Sequence, residues 1–271
     1  MSQSLKYTEE RITWIKPWTD HLFSFRLTRS TSFRFVPGQF ARLGLSKEDP
    51  ERPGEKKMVW RAYSIVSASY DEHLEFYSIV VPDGEFTSEL AKFEVGDTVY
   101  VEKMNYGFLT LDRFEGGKDL WLLSTGTGLA PFISVLYEME TWERFERIVL
   151  VHSVREEKEL AYQDTIEGFR THEYFSEYAH KLRYIKTITR EQPRPEKHRT
   201  EDPVLTERVT TALSNGNLEQ AAGFSLDLER SRIMICGNPE MVDDTRHCLT
   251  ERGFVVSRRG APAHLAVENY W

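Results

Sequence analysis

From Leu5 to about Leu111, apolar and polar residues alternate with a period of two in short runs, such as His21-Leu22-Phe23-Ser24-Phe25-Arg26-Leu27 and Leu74-Glu75-Phe76-Tyr77-Ser78-Ile79-Val80. Successive side chains of a strand point to opposite faces, so this pattern predicts half-buried β-strands. Turn residues at Pro37-Gly38, Pro82-Asp83-Gly84 and Gly96-Asp97 have the spacing of an antiparallel barrel. One short helix is expected near Thr87-Ser88, where a hydroxyl can cap the free amides of the first turn.

Beyond Gly116-Gly117 the pattern changes. Compact apolar runs at Leu120-Trp121-Leu122-Leu123, Ile148-Val149-Leu150-Val151, Leu182-Arg183-Tyr184-Ile185 and Ile233-Met234-Ile235-Cys236 predict parallel strands buried on both faces. Helical patterns follow over residues 131–139, 159–178, 204–213 and 241–252. Strands alternating with helices predict a doubly wound α/β unit. The charged stretch 190–203, with Pro193, Pro195 and Pro203, is expected to be a surface loop.

Composition narrows the chemistry. At 271 residues, 40% hydrophobic and 13% aromatic, the chain can build two cores. No apolar run approaches the roughly 20 residues of a membrane-spanning helix, and the start lacks the apolar stretch of a signal peptide, so a cytoplasmic protein off the membrane is expected. Cys236 and Cys248 are too few for a disulfide scaffold, a four-cysteine zinc site or a cysteine-ligated cluster, and no metal-ligand spacing occurs. Any redox centre must therefore be bound rather than built from thiolates. A net charge of −8 argues against a nucleic-acid binder. The basic residues Arg42, Lys47, Arg52, Lys56, Lys57 and Arg61, like Arg258-Arg259, read equally well as solvated surface.

The segment Ser124-Thr125-Gly126-Thr127-Gly128-Leu129-Ala130-Pro131 joins the first α/β strand to the first helix. Glycines there permit a tight turn and close approach of a ligand, and Pro131 suits a first helical turn. The free amides and the positive helix end would face an anion such as a pyrophosphate, although a plain strand-to-helix turn uses the same residues. Arg155 follows His152-Ser153 at the end of the second strand, Thr189-Arg190 follows the third, and Arg208 lies further on. Guanidinium groups at that carboxyl edge can grip the 2′-phosphate that distinguishes NADP from NAD. The alternative is that each arginine pairs with Glu156, Glu157, Glu191 or Glu207.

Arg61-Ala62-Tyr63-Ser64 puts an arginine, an aromatic and a hydroxyl in one strand, which by itself also suits barrel packing with Arg61 at the surface. Together with Gly126-Thr127-Gly128-Leu129-Ala130-Pro131, Cys236-Gly237-Asn238-Pro239 and the terminal Val267-Glu268-Asn269-Tyr270-Trp271, it resembles the bacterial branch of the ferredoxin–NADP(H) reductase family. The motifs stand in family order over nearly the whole chain.

The resemblance implies a six-stranded antiparallel FAD-binding β-barrel over residues 1–115, followed by a doubly wound parallel α/β NADP-binding domain over residues 116–271. It assigns the FAD pyrophosphate to Arg61, ring stacking to Tyr63, and a hydrogen bond near the reacting flavin nitrogen to Ser64. Ala62, Tyr77, Ser78, Ile79, Gly84, Phe86, Thr87, Ser88 and Thr127 complete the implied FAD site, with Tyr270 over the second flavin face and Trp271 on the adenine. The implied NADP site comprises Gly126, Thr127, Gly128, His152, Ser153, Arg155, Thr189, Arg190, Arg208, Cys236, Gly237 and Asn238. His152 in it reads as a satisfied strand-end residue rather than an acid or base. Ser64, Cys236, Glu268 and Tyr270 would surround the reacting atoms.

Two departures stand out. Glu207 replaces a glycine common in relatives, and its carboxylate would offset Arg208; Tyr270 replaces a small residue. The implied activity is hydride exchange between NADP(H) and FAD coupled to one-electron exchange with ferredoxin or flavodoxin, by a monomer. The rivals are a related reductase with another acceptor, and a flavin-binding electron-transfer subunit or redox sensor that does not use NADP.

Overall fold

The computed structural model describes residues 6–194, 199 and 201–269. Six strands form the first sheet: β1 (Tyr7–Pro17), β2 (Leu22–Thr28), β3 (Phe40–Glu48), β4 (Lys56–Ser64), β5 (His73–Ile79) and β6 (Thr98–Tyr106). They pair antiparallel in the order β4-β3-β6-β1-β2-β5. An antiparallel bridge between Ile65 and Phe76 brings the edges β4 and β5 together, so the sheet closes as a barrel. The alternation seen in the sequence sends Phe25, Leu27, Leu43, Leu45, Phe76, Val99 and Val101 into its interior.

The short helix α1 (Thr87–Leu90) forms where expected, but neither hydroxyl caps it. Thr87 Oγ1 instead accepts from the Val81 amide at 3.0 Å, and Ser88 Oγ donates to the Gly84 carbonyl at 2.5 Å. The hydroxyls thus tie the Pro82-Asp83-Gly84 turn to the helix.

The second sheet contains β7 (Asp119–Thr125), β8 (Arg147–Val154), β9 (Leu182–Ile188), β10 (Val204–Leu205), β11 (Ser231–Gly237) and β12 (Leu265–Asn269). All pairings are parallel, in the order β10-β9-β8-β7-β11-β12. The chain runs outward from β7 through β8 and β9, then returns to place β11 on the other side of β7. This reversal leaves a crevice at the carboxyl end of β7, where the Gly126 turn lies.

Helices α2 (Ala130–Leu136), α3 (Met139–Arg144), α4 (Gln163–Gly168), α5 (Val209–Ser214), α6 (Asn217–Ala222) and α7 (Pro239–Glu251) flank the sheet. The pattern over 131–139 resolves into α2 and the start of α3. The helix expected over 159–178 is largely absent: Tyr162 has φ 61°, which breaks the run, and α4 ends at Gly168. The run expected as helix over 204–213 begins as strand, because Val204 and Leu205 pair with Lys186 and Thr187, and helix starts only at Val209. The last pattern is α7, capped by Asn238 Oδ1, which accepts from the amides of Glu240 at 3.0 Å and Met241 at 3.3 Å.

Barrel and α/β unit share apolar surface. Leu22, Val66 and Tyr77 of the barrel belong to the same buried cluster as Leu129, Phe132, Ala161 and Tyr162. This seam brings the strand-end turn beside the barrel wall. No helix among the described residues is long and apolar enough to cross a membrane.

Candidate functional site

Two clefts open beside the seam. The first, of about 600 Å³, is walled by the carboxyl end of β4 and by β5, the 81–87 turn, Thr127 and β12. Arg61, Ala62, Tyr63 and Ser64 all reach it, because β4 ends at its rim. Tyr77, Ser78, Ile79, Gly84, Phe86, Thr87 and Thr127 line it too. Tyr63 is buried, with its hydroxyl 3.0 Å from Ser78 Oγ; burial pushes its pKa up to about 12, so it is a neutral aromatic wall. Arg61 is exposed and donates to its neighbour's carbonyl, at Trp60, over 2.9 Å; it has no ion-pair partner among the described residues. Simple barrel packing therefore leaves its charge unused. Ser88 lies outside this wall, its hydroxyl held by Gly84.

Phe40 and Val81 line the cleft without appearing in the sequence motifs, and Glu85 and Asn269 line it without a role assigned to them there. Glu85 pairs with Lys57 at 2.7 Å and Lys47 at 3.5 Å, and the Lys57 hydrogen bond holds its carboxyl below the ordinary range. Part of the basic run thus anchors the β3–β4 hairpin to the cleft rim. Aromatic walls, hydroxyls from Ser64, Ser78 and Thr87, and one uncommitted guanidinium fit a flavin nucleotide: a flat ring to bury and a pyrophosphate to neutralise.

The second cleft, of about 390 Å³, lies at the carboxyl edge of the parallel sheet. Gly126, Thr127, Ser153, Arg155, Thr189, Arg190, Arg208, Gly237 and Asn238 line it, joined by the unanticipated Glu159, Glu240 and Asp244. The carboxylates that could have paired with the arginines make their ion pairs and hydrogen bonds elsewhere, although Arg190 still acts on Glu156 through space. Glu156 pairs with Lys158 at 2.8 Å, Glu157 with Arg194 at 2.6 Å, and Glu191 accepts from the Glu157 amide. Glu207 accepts from Asn215 Nδ2 at 2.9 Å and Asn217 Nδ2 at 2.8 Å, so the expected offset of Arg208 is drawn away from it. Among the described residues, no side-chain hydrogen bond or ion pair engages Arg155, Arg190 or Arg208.

Gly128, His152 and Cys236 line neither cleft and form the scaffold behind them. A Cβ on Gly128 would lie 2.3 Å from the Cys236 carbonyl oxygen, so only glycine lets the turn pack against β11. Gly128→Ala is expected to destabilise the α/β unit by about 3 kcal/mol or more, since backbone must move to admit the methyl group. Urea unfolding followed by far-ultraviolet circular dichroism measures this; an unchanged midpoint would contradict the packing. His152 is fully buried, and desolvation lowers its pKa to about 4, against the Gly126 backbone. It is a neutral strand-end residue near pH 7.

The clefts meet: Ile79 and Thr127 line both. Near this junction Ser64 Oγ donates to Glu268 Oε1 at 3.2 Å, and Glu268 stands in register with Cys236 across β12 and β11. Burial pushes the Glu268 pKa up to about 7, opposed by the Ser64 hydrogen bond. Two of the four residues expected around the reacting atoms, Ser64 and Glu268, thus meet, and Cys236 lies beside Glu268 in the sheet without lining a cleft. Tyr270 and Trp271 lie outside the described residues.

Known proteins place this architecture. Residues 17–105 match the oxidoreductase FAD-binding domain and residues 122–247 the oxidoreductase NAD-binding domain. The chain is 42% identical over 265 residues to ferredoxin–NADP reductase A of Sorangium cellulosum, covering 97% of this chain and 89% of that protein. The chain belongs to the ferredoxin–NADP reductase family. Ferredoxin–NADP reductase of Pseudomonas aeruginosa is 41% identical, covering 97% of this chain and 96% of its own length. A crystal structure of a ferredoxin–NADP+ reductase from Neisseria gonorrhoeae with bound FAD and NADP superposes with a TM-score of 0.87 at 36% identity, covering 99% of this chain and 100% of the other. Membership of the ferredoxin–NADP reductase family accounts for the order of the sequence motifs and for both sheets. The cleft residues absent from those motifs, Phe40 and Val81, flank turns whose folding back onto β4 has no local signal.

Proposed function

We propose that this protein is a ferredoxin/flavodoxin–NADP(H) reductase, with residues 1–115 holding FAD and residues 116–271 holding NADP(H). The observation that carries the reading is that Ile79 and Thr127 line both clefts, so the two open side by side and a flavin in the first and a nicotinamide in the second would be neighbours. A bound flavin supplies exchange between two-electron hydride chemistry and one-electron carriers. The protein's own residues provide position and charge. Tyr63 offers a buried aromatic face, Arg61 would neutralise the pyrophosphate, and Ser78 and Thr87 present hydroxyls. The Gly126 turn and the carboxyl-edge arginines hold the nucleotide phosphates. Glu268 holds or releases a proton at its carboxylate near neutral pH, and Ser64 orients it. Ferredoxin or flavodoxin is the carrier.

The purified protein is expected to be yellow, with flavin absorbance bleached by anaerobic NADPH and restored by a one-electron acceptor. A colourless protein that does not take up FAD, or bound flavin that NADPH leaves oxidised, would overturn the assignment.

A further inference from the structure

Tyr162 is one of only two described non-glycine residues with positive φ, the other being Asp83. Left-handed backbone is unfavourable for a tyrosine and persists where surrounding contacts enforce it. The residue precedes α4 of the α/β unit, yet its side chain crosses the seam and is buried against the barrel. Its hydroxyl donates to Glu75 Oε1 on β5 at 2.8 Å and lies 2.5 Å from Ser24 Oγ on β2. Ser24 Oγ in turn accepts from Trp18 Nε1 at 2.8 Å, and Glu75 Oε2 accepts from Arg26 Nε at 2.8 Å. The protons are all assigned: Trp18 donates to Ser24, Ser24 to Tyr162, and Tyr162 to Glu75. The two central links, Ser24 to Tyr162 and Tyr162 to Glu75, are buried, so a shift at either leaves a desolvated polar atom unpaired.

Both ends of this connection reach the clefts. The Tyr162 ring packs at 5.4 Å against Tyr77, which lines the first cleft, and at 5.1 Å against Trp18. Seven residues upstream of Tyr162, Arg155 lines the second cleft. Glu159 Oε2 accepts from the Arg155 and Glu156 amides at 2.8 and 3.1 Å, which makes that turn a closed unit. Leu160 and Ala161, which lead from this turn to Tyr162, are buried. The segment 155–162 therefore has a cleft wall at one end and a barrel anchor at the other.

We propose that Tyr162 is a positioning residue for hydride transfer, its hydroxyl bonded to Ser24 and Glu75 fixing the separation and angle between the two clefts. The inference rests on the reductase reading. It goes beyond cofactor binding, because Tyr162 lines neither cleft. The seam has other attachments, among them Ser134 Oγ donating to the Ser67 carbonyl at 2.8 Å and the Ser69 amide donating to Glu138 Oε1 at 3.2 Å, so loss of one hydroxyl leaves the halves joined.

The test uses the FAD-loaded protein. Tyr162→Phe keeps the ring and removes the hydrogen bonds. It is expected to retain flavin, to bind NADP+ within about twofold of wild type by difference titration, and to slow the anaerobic bleaching of flavin by NADPH by about tenfold or more, since sub-ångström misplacement is costly. Hydrogen exchange of the 155–162 amides should accelerate. Glu75→Gln keeps an acceptor oxygen for Tyr162 and gives up only the link to Arg26, whose side chain is 41% exposed and can turn to water, so it should stay near the wild-type rate, whereas Glu75→Leu should match Tyr162→Phe, with the double variant no slower than either. Wild-type bleaching by Tyr162→Phe overturns the proposal. So does a parallel loss of flavin or NADP+ affinity, which marks a merely structural link. Failure of NADPH to bleach the wild-type protein would instead strike the reductase reading.

Discussion

Replacement of Arg155 by alanine is expected to lower kcat/KM for NADPH by about 10- to 100-fold and to leave that for NADH within about twofold. Arg155 lines the second cleft with Arg190 and Arg208, and among the described residues its guanidinium makes no ion pair. A hydrogen bond between charged groups contributes about 1.5–3 kcal/mol, which sets the range. The loss should fall on KM, because the 2′-phosphate is remote from the reacting ring and binds equally in ground and transition states. Steady-state kinetics with both nicotinamides decide it, and equal losses would remove Arg155 from the phosphate site. Arg208→Ala should behave in the same direction, since Glu207 is committed to Asn215 and Asn217.

The second large effect concerns pH. Glu268 ionises near 7 in the folded protein against an ordinary value of 4.5, because its carboxylate is desolvated. Between those values the folded state holds a proton that the unfolded chain has released. The stability associated with this group is therefore complete below pH 4.5 and is lost as pH rises through 7, a change on the order of 3 kcal/mol. His152 acts in the opposite sense: with its pKa lowered from 6.5 to about 4, its contribution is present above 6.5 and is lost as pH falls through 4. Glu268→Gln should flatten the decline between pH 5.5 and 8 and make the variant more stable than wild type at pH 8. Urea midpoints at the two pH values measure this. A slope equal to that of wild type would show that Glu268 is solvated.

The barrel was legible because its strands bury one face, so residues such as Phe25, Leu27, Leu43 and Leu45 alternate with polar ones. The parallel strands β7, β8, β9 and β11 were legible as bare apolar runs. The failures have a common cause in tertiary contact. Residues 159–178 carry a helical pattern, but the barrel draws the Tyr162 side chain across the seam and sets its backbone left-handed. Val204 and Leu205 extend because β9 offers them an open edge. β12 is five residues long and, among the described strands, pairs with β11 alone, so it left no separate signal beyond the quoted motif.

For the site, short motifs located the residues but not their roles in space. Arg61, Tyr63 and Ser64 reach the first cleft together, whereas Gly128, His152 and Cys236, equally prominent in sequence, serve as backing. That distinction depends on which side of β7 and β11 the turn packs, and no linear pattern encodes it. The fate of Glu207 was hidden for a similar reason, since its partners lie eight and ten residues downstream on another element.

Because Ile79 and Thr127 line both recesses, filling the barrel side would complete the seat next to it. Until a prosthetic ring occupies the barrel side, the nicotinamide end of a dinucleotide lacks the far half of its seat. Newly made chains should therefore acquire the tightly held group first and become competent for the exchangeable one only afterwards.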